Sequence, residues 1–244
     1  MKVRLNKFIA QSGYCSRRKA DELIKEGKVK VNGQKVSQLG LKIDPEKDLV
    51  EVEGSAIKSE NKKIYIKIYK PVGYLTQLGR DRFRRKTLTD LFKETGIKER
   101  LFPAGRLDYN SEGLLVLTND GDFANLLMHP RKKIPKKYIV EVEGRVNSKT
   151  FIKMKKGKRL KDTYLKPDEI NIIKKKKNST VLEITIHSGQ KRVIRRFMDA
   201  FQHPVKKLIR IEVGKITAEN MKPKEWKKIS QSEIEKTVKM ATNK

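Results

Sequence analysis

The first 36 residues carry a hydrophobic pattern that predicts two short helices followed by a hairpin. Apolar residues recur at helical spacing in two sets, Leu5, Phe8 and Ile9, and then Ala20, Leu23 and Ile24. Gly13 is suited to end the first helix, while Ser16 and Gly27 are suited to cap and end the second. Valines then alternate with lysines up to Asn32 and Gly33, a tight-turn pair. The pattern predicts a compact module of about 50 to 60 residues, near the lower limit for independent folding.

Further along the chain, the apolar pattern changes to strands mixed with isolated helices. Strands are predicted at residues 64–69, 114–118, 138–142, 181–186 and 208–213. Helices are predicted at residues 87–92, 122–128 and 193–201, and a hairpin loop at 174–179. Regular alternation of strand and helix is missing, so the pattern favours an α+β fold with a mixed, mainly antiparallel sheet.

These patterns divide the chain into four parts. Residues 1–58 form the small α/β module, and residues 59–63 read as a polar linker. Residues 64–235 form the larger domain, and residues 236–244 are expected to be a polar C-terminal tail.

Composition then points to a polyanionic partner. The 244 residues include 59 Lys and Arg against 29 Asp and Glu, a net charge of +30. A heat-adapted or lysine-rich proteome is the alternative explanation, but there Glu rises together with Lys, which is not the case here. Nucleic acid is therefore the favoured partner, and no finger, heptad or homeodomain pattern indicates DNA.

The same composition argues against several classes of protein. The single Cys15 rules out an intramolecular disulfide and a thiolate zinc cluster, and the three histidines lack metal-ligand spacing. No apolar run reaches the roughly 18 residues of a membrane helix, and the N-terminus lacks the apolar region of a signal peptide. We expect a cytoplasmic protein with no metal and no membrane partner.

The first module concentrates positive charge. Residues 1–35 hold ten basic against three acidic residues, and Arg17, Arg18 and Lys19 occupy the first turn of the second predicted helix. Cations are unfavourable at that end of the helix dipole, whereas phosphates bind there. A solvated basic face is the other explanation. The candidate RNA contacts are Arg4, Lys7, Arg17, Arg18, Lys19 and Lys28. The string "RLNKFIAQSGYCSRRKADELIKEGKVKVNGQKV" resembles nearly all of the S-four RNA-binding module, named after a small-subunit ribosomal protein.

Asp108 stands out in the stretch "FPAGRLDYNSEGLLVLTNDGD", just before an apolar run. Its residue type and position alone fit an Asx-turn, a helix cap or an ion pair with Arg106. Glycosidase chemistry would need a second carboxylate nearby; Glu112 is available, but the sequence does not fix its distance from Asp108.

The longer string "GRLDYNSEGLLVLTNDGDFANLLMHP" is similar to the catalytic motif of the RsuA/RluB group of ribosomal RNA pseudouridine synthases, and its wording is nearer to the RluB branch. Three further strings match motifs of that family in order: "YKPVGYLTQ", "KKYIVEVEG" and "HSGQKRVIRRFMDAFQHPVKKLIRIEVGKI". Together with the S-four module, the resemblance covers almost the whole chain.

The resemblance implies a cofactor-free isomerisation of a uridine that is flipped out of ribosomal RNA. Asp108 matches the family's essential aspartate, the expected nucleophile. Tyr138 matches the tyrosine that packs on the uracil and takes the carbon 5 proton, and Arg192 matches the arginine that would pair with Asp108. Val193 stands where the family usually has Gln, which removes one hydrogen-bonding side chain. The expected RNA contacts of this domain are Arg106, Arg195 and Arg196.

The expected substrate is large-subunit ribosomal RNA, free or in an assembly intermediate, and the protein is expected to be a monomer. Two alternatives remain open at this point. One is a synthase acting on small-subunit RNA, and the other is a non-catalytic RNA-binding factor of ribosome assembly. A factor of that second kind has no need for the ordered motifs of the larger domain.

Overall fold

The computed structural model describes residues 2–58 and 62–242, which fold into two compact units. The first unit takes in the chain up to Lys63 together with Asn119–Gly121. The second takes in Ile64–Thr118 and Asp122–Lys244. Residues 59–61 of the predicted linker lie outside the described residues. Within these described ranges, no helix is long and apolar enough to cross a membrane.

The first unit is built from short elements. In chain order they are β1 (Val3–Arg4), α1 (Leu5–Gln11), α2 (Arg17–Lys25), β2 (Val29–Val31), β3 (Gln34–Val36), β4 (Lys42–Ile43), β5 (Val50–Val52) and β6 (Ser55–Ile57). Strands β3, β2, β5 and β6 form an antiparallel sheet in that order, and β1 pairs with β4.

Local sequence signals account for these elements. The Ser16 hydroxyl accepts a hydrogen bond from the Lys19 amide and caps α2, as predicted. Asn32 and Gly33 both have positive φ, 52° and 80°, the conformation of a tight hairpin turn. The apolar residues of both helices pack on the inner face of the sheet, around Ile24 and Val29.

The second unit is larger and mixes strands with helices. In chain order its elements are β7 (Tyr65–Lys70), α3 (Leu88–Thr95), β8 (Phe102–Pro103), β9 (Glu112–Thr118), α4 (Gly121–Met128), β10 (Lys136–Glu143), α5 (Ser148–Lys156), β11 (Lys158–Arg159), β12 (Tyr164–Leu165), β13 (Glu169–Lys175), β14 (Ser179–Ile186), α6 (Val193–Asp199), β15 (Val205–Val213), β16 (Ile216–Thr217), β17 (Trp226–Lys228) and α7 (Gln231–Thr242). A 3-10 turn at Pro130–Lys132 follows α4.

The main sheet has the strand order β13-β14-β10-β15-β9-β7-β17, with β16 paired to β15 and β8 paired to β9. The β15–β9 pair is parallel and the other pairs are antiparallel. The prediction of an α+β protein with a mixed, mainly antiparallel sheet is confirmed. Each predicted strand and helix of this domain falls on an observed element.

Strand β9 lies in the middle of the core. All seven of its residues are buried. Leu115 and Leu117 belong to one apolar cluster with residues of α3, α5 and α6, and Leu114 and Val116 belong to another with residues of α4 and α7. Successive strand residues point to opposite faces, so both faces of β9 are covered. This explains why its sequence reads as a continuous apolar run.

The C-terminal segment differs from its prediction. The predicted boundary at residue 235 falls inside α7, which continues to Thr242, and residues 243–244 lie outside the described residues. Thr237 and Ala241 are buried, and the Thr237 hydroxyl accepts a hydrogen bond from the Lys215 amide. Residues 236–242 are therefore packed helix, because small residues one turn apart face the core.

Strand β7 ends in a buried charge. Its alternate residues Ile66, Ile68 and Lys70 all face the interior. The Lys70 ammonium donates hydrogen bonds of 2.8 Å to the carbonyl of Pro71 and 2.8 Å to that of Ser111. Burial lowers the pKa of Lys70 to about 8, against the opposing effect of the Asp108 and Glu112 charges.

Gly113 allows two strands to approach closely. It is paired with Arg210 of β15 on one side and Lys70 of β7 on the other. Its φ is +104°, and a Cβ at this position would lie 2.3 Å from the Arg210 carbonyl oxygen. Only glycine satisfies both the backbone conformation and the close approach.

We expect Gly113→Ala to lower the free energy of unfolding by about 2 kcal/mol or more, because the added methyl strains the backbone and pushes the strands apart. Chemical denaturation measures the loss. Gly121→Ala is the matched control, since Gly121 has open space around its Cβ position. Equal stability of both variants would contradict the close-packing explanation.

We expect the buried ammonium of Lys70 to make stability depend on pH above neutrality. Its pKa in the folded protein, about 8, lies below the ordinary lysine pKa of 10.5. Between these values the unfolded chain binds more protons, so Lys70 makes the free energy of unfolding rise with pH, by at most about 1.4 kcal/mol per pH unit. Denaturation of wild-type protein and Lys70→Met from pH 7 to pH 10 should show the wild type gaining stability relative to the variant. A constant difference would show that Lys70 is not perturbed.

Candidate active site

A cavity of about 360 Å³ in the second unit contains the three predicted catalytic residues. Asp108, Tyr138 and Arg192 line it together with Arg106. Its apolar wall is formed by Leu107, Ile186, Val193, Ile194, Leu208 and Val213. A cavity of this size, with an apolar wall and polar groups around it, is typical of a site for a small ligand or a single base.

Asp108 lies on the loop between β8 and β9, and the backbone beside it is anchored on both sides. The Thr76 hydroxyl donates to the Leu107 carbonyl at 2.7 Å and accepts from the Leu107 amide at 3.1 Å. On the other side, the Ser111 amide donates to the Asp108 carbonyl at 3.0 Å. Its carboxylate therefore projects from a fixed backbone and is about one-third exposed.

Arg192 forms the ion pair that the resemblance implied. Its Nη1 lies 3.9 Å from the Asp108 Oδ2, and the two side chains are 45% and 34% exposed. This separation is longer than a hydrogen bond, which is common in sites without substrate. Arg192 precedes α6 in the left-handed conformation, with φ 51°. An arginine in this uncommon conformation marks a local constraint at the edge of the cavity.

Tyr138 lies near the start of β10 and is 8% exposed. It pairs with Ile184 on one side and Arg210 on the other. The register between β10 and β15 shifts next to Tyr138, an irregularity that can re-aim side chains. Its ring thus forms part of the cavity wall and is held between two strands.

Arg195 lies in the interior of the domain. The side chain is buried, at 7% exposure, so the predicted phosphate contact stays a prediction that requires Arg195 to leave its present partners. Its guanidinium donates to the carbonyls of Asn110 at 2.7 Å and Val205 at 3.1 Å. Burial lowers its pKa, as does Arg192, whereas the charge of Asp108 raises it. Arg195 braces the segment that follows Asp108.

The other two predicted RNA contacts of this domain differ in accessibility. Arg106 is exposed and lines the cavity. Arg196 pairs closely with Asp162, and its Nε and Nη2 are buried. A phosphate contact by Arg106 stays a prediction that fits its position. For Arg196 such a contact requires release from Asp162.

The predicted contacts in the first unit are mostly at its surface. Arg4, Arg17 and Arg18 are exposed. Lys19 is paired with Glu22 at 3.1 Å, and Lys28 with Glu26 at 2.8 Å and with Glu53 at 3.6 Å. Lys7 is half-buried. Exposed ion pairs of this kind contribute little stability, so phosphates can replace the carboxylates.

Three further cations of the cavity, Lys136, Lys191 and Arg210, were missed in the sequence. Lys136 donates from Nζ to the Ile134 carbonyl at 2.9 Å, and Arg210 donates from Nε to the Leu114 carbonyl at 2.8 Å. Burial lowers the pKa of Lys136 to about 8, and the charge of Arg210 acts in the same direction. A signal for Lys136 was present, because it stands two residues before Tyr138 and so shares its face of β10.

The cavity has a strong charge imbalance. Asp108 is its one acidic lining residue, and its basic lining residues are Arg106, Lys136, Lys191, Arg192 and Arg210. Glu112, the second carboxylate that a glycosidase would need, lies inside β9 and pairs with Lys207 at 2.9 Å. Across the described ranges, no group of three His, Cys, Asp or Glu side chains is placed to hold a metal ion. The site can present one carboxylate to a polyanionic ligand.

Comparison with known proteins gives the same domain order. Residues 3–50 match the S4 domain, and residues 64–200 match the RNA pseudouridylate synthase family. An uncharacterised RNA pseudouridine synthase of Aquifex aeolicus is 51% identical, over 96% of this chain and 93% of that protein. The ribosomal large subunit pseudouridine synthase B of Bacillus subtilis is 40% identical, over 96% of this chain and 94% of that protein.

A solved structure agrees with these sequence matches. The crystal structure of a pseudouridylate synthase superposes with a TM-score of 0.66 at 26% identity, over 97% of this chain and all of that one. The resemblance found in the sequence is confirmed. The fold, the lone aspartate in its basic cavity and the matches along nearly the full chain show that this protein belongs to the RNA pseudouridine synthases, isomerases that act on RNA, and carries an N-terminal S4 domain.

Proposed function

We propose that this protein converts a specific uridine of large-subunit ribosomal RNA to pseudouridine, with Asp108 as the nucleophile. The observation that carries the proposal is the position of Asp108, one carboxylate among five basic side chains in a cavity large enough for a base. The name of the Bacillus subtilis relative supports the choice of large-subunit RNA. We place the reaction in the cytoplasm, performed by a monomer on free RNA or on an assembly intermediate.

The reaction requires three tasks of the site. The glycosidic bond must break, the uracil must rotate while it is held, and carbon 5 must then bond to the ribose and lose its proton. Attack of Asp108 on the ribose, attack on uracil carbon 6, and charge-promoted formation of a glycal all need an ionised carboxylate. The neighbouring Arg192, with its Nη1 3.9 Å from the Asp108 Oδ2, is the group that orients this carboxylate.

Tyr138 and the apolar wall suit the second and third tasks. A detached uracil stays in place only if a wall covers its face, and the buried ring of Tyr138 lies beside Asp108 in the cavity lining. Its hydroxyl is the group we assign to removal of the carbon 5 proton. Arg106, exposed at the cavity, is placed to bind the phosphate of the flipped nucleotide.

The S4 domain has a separate task in this proposal. Residues 2–58 bind the RNA through the exposed arginines of α2 and neighbouring lysines, and the larger domain performs the chemistry. Contacts to phosphate fix position and affinity but carry no sequence information. Recognition of the particular uridine then depends on RNA shape and on contacts around the cavity.

We expect Asp108→Asn to fold and bind RNA normally while its rate of pseudouridine formation falls roughly 10³-fold or more, because the amide has neither charge nor nucleophilic oxygen. The assay uses purified protein with transcribed large- and small-subunit RNA, and circular dichroism verifies the fold. Asp199→Asn, the same change at an exposed residue, is the control and should stay active. Pseudouridine mapping in ribosomal RNA from cells that produce either variant identifies the target. Substantial product from Asp108→Asn would rule out the nucleophile assignment, and product only in small-subunit RNA would rule out the substrate.

We expect Tyr138→Phe to slow product formation about 10²-fold to 10⁴-fold, the usual contribution of a positioned acid–base group, with little change in RNA affinity. Tyr138→Ala should be slower still, because the wall against the uracil is lost as well. Tyr164→Phe removes a hydroxyl from an exposed tyrosine and serves as the control. If Tyr138→Phe is fully active and only Tyr138→Ala is slow, the residue packs on the base and another group takes the proton.

A further inference from the structure

An unusually basic loop with an exposed aromatic ring lies beside the cavity. Residues 77–86, here named the arginine loop, have the sequence QLGRDRFRRK and carry five basic residues against Asp81. Phe83 within it is 63% exposed, more than any other large apolar side chain of the described residues. Because this ring is mostly exposed to water, packing in the hydrophobic core does not account for a phenylalanine at this position.

The arginine loop is fixed at its base. The Leu75 amide donates to the Lys86 carbonyl at 2.8 Å, and the Leu88 amide donates to the Gln77 carbonyl at 3.0 Å. The Gly79 amide donates to the Thr89 hydroxyl at 2.8 Å. The two ends are thus held together at the start of α3.

Asp81 organises the tip. Its carboxylate accepts two hydrogen bonds from the Arg85 guanidinium, at 2.9 and 3.0 Å, and one from the Phe83 amide at 3.0 Å. The Arg85 hydrogen bonds hold the pKa of Asp81 down to about 2. Arg84 takes up a left-handed conformation, with φ 57°. The exposed position of Phe83 is therefore built into the loop, and binding there needs little further ordering.

Aromatic rings and guanidinium groups form a continuous array from the tip to the active site. The guanidinium carbons of Arg82 and Arg85 lie 4.4 and 5.3 Å from the centre of the Phe83 ring. Arg85 also lies 6.0 Å from the ring of Tyr109, which is 38% exposed and directly follows Asp108. Because Thr76 binds Leu107, the root of the loop and the catalytic aspartate share one anchor.

We propose that the arginine loop binds an unpaired nucleotide of the RNA next to the target uridine, with its base stacked on Phe83 and the adjoining phosphates bound by Arg80, Arg82 and Arg84. This inference rests on the proposed function, because it takes the neighbour of an RNA nucleotide held in the cavity as the ligand. Flipping a uridine unstacks the bases beside it and leaves their faces free. Aromatic rings interleaved with arginines are the usual platform for single-stranded nucleic acid.

Charge decides between RNA and other occupants of this surface. The arginine loop has a net charge of +4 on a protein of net charge +30, so it repels most basic surfaces and attracts a polyanion. The planar guanidinium groups match phosphate oxygens, and the ring offers a face that any base can stack on. An apolar protein partner would not need three exposed arginines around a single ring.

The first test measures stacking. The probe is a fluorescein-labelled single-stranded oligouridylate, titrated with the full chain, so the result does not depend on knowing the target uridine. Phe83→Ala should bind about tenfold more weakly, with an unchanged salt dependence, and Phe83→Tyr should bind as the wild type does. Ile173→Ala is the control, since Ile173 is an exposed apolar residue on β13, at the far end of the sheet from β7. Wild-type affinity of Phe83→Ala would overturn the proposal.

The second test measures the phosphate contacts. Arg82→Gln and Arg84→Gln should each reduce the slope of log affinity against log salt concentration by about 0.7, the value for one phosphate contact to a single strand. Lys174→Gln and Lys175→Gln on β13 remove exposed charges at the other end of the sheet and should leave the slope as it is. Equal slopes for the arginine variants and the wild type would overturn the phosphate contacts.

A third readout separates this proposal from the proposed function. With transcribed ribosomal RNA, Phe83→Ala should raise KM about tenfold and leave kcat nearly unchanged, because the loop does not touch the reacting atoms. A lower kcat at unchanged KM would overturn the binding role. If wild-type protein binds oligouridylate through Phe83 but forms no pseudouridine in any ribosomal RNA, the proposed function fails while the loop remains an RNA-binding element.

Discussion

The close backbone contact between Gly113 and Arg210 determines the positions of the groups around the cavity. Strand pairing places Tyr138 of β10, Arg210 of β15, Gly113 of β9 and Lys70 of β7 in one row across four adjacent strands. Neighbouring strands lie about 4.8 Å apart, so this row spans roughly 14 Å. The missing side chain at Gly113 allows β9 and β15 to pair as the one parallel pair of the sheet. The loop that carries Asp108 leads directly into this row.

The second organising feature is the use of buried cations to hold backbone in place. Lys70, which precedes the segment at Asn110 and Ser111 in the sequence, binds the Ser111 carbonyl, and Arg195, which follows it, binds the Asn110 carbonyl. Each is buried, and each donates hydrogen bonds to two carbonyl oxygens, whereas the Nε of Arg195 has no partner. Burying a cation is unfavourable unless its donors are satisfied, so these bonds fix both the side chain and the segment it binds. The loop after Asp108 is consequently held by charged groups that do not themselves react.

Much of this fold could be predicted from periodicity. The continuous apolar run at Leu114 to Leu117 predicts a strand covered on both faces, and β9 has that environment. Helix α5 was missed because its apolar positions are misleading: Met154 is buried, but Ile152 is 55% exposed. Helix α7 was missed because its buried residues, Thr237 and Ala241, are small rather than strongly apolar. Prediction from hydrophobic patterns fails where tertiary packing buries small or polar residues or leaves apolar residues exposed.

The candidate site likewise contains residues that the sequence predicted and residues whose environment only the structure shows. Asp108, Tyr138 and Arg192 were found from motifs, and the fold gathers them from the loop before β9, from β10 and from the residue before α6. Arg195 and Arg196 are identical in type and adjacent in sequence, yet one is buried and the other is partly exposed. Contacts 85 residues away in sequence, at Asn110, decide this difference. The predicted strand ends before Lys70, whose burial depends on carbonyl partners that only the folded chain provides.

The double hydrogen bond between Thr76 and Leu107 has a consequence for how such an enzyme can diversify. The Thr76 hydroxyl both donates to and accepts from Leu107, so it fixes the chain directly before residues 77–86 to the backbone next to Asp108. Residues 77–86 are exposed, apart from the half-buried Asp81. Their length and composition can therefore vary without displacing the aspartate. The contacts that these residues make with RNA can therefore change independently of the chemistry at Asp108.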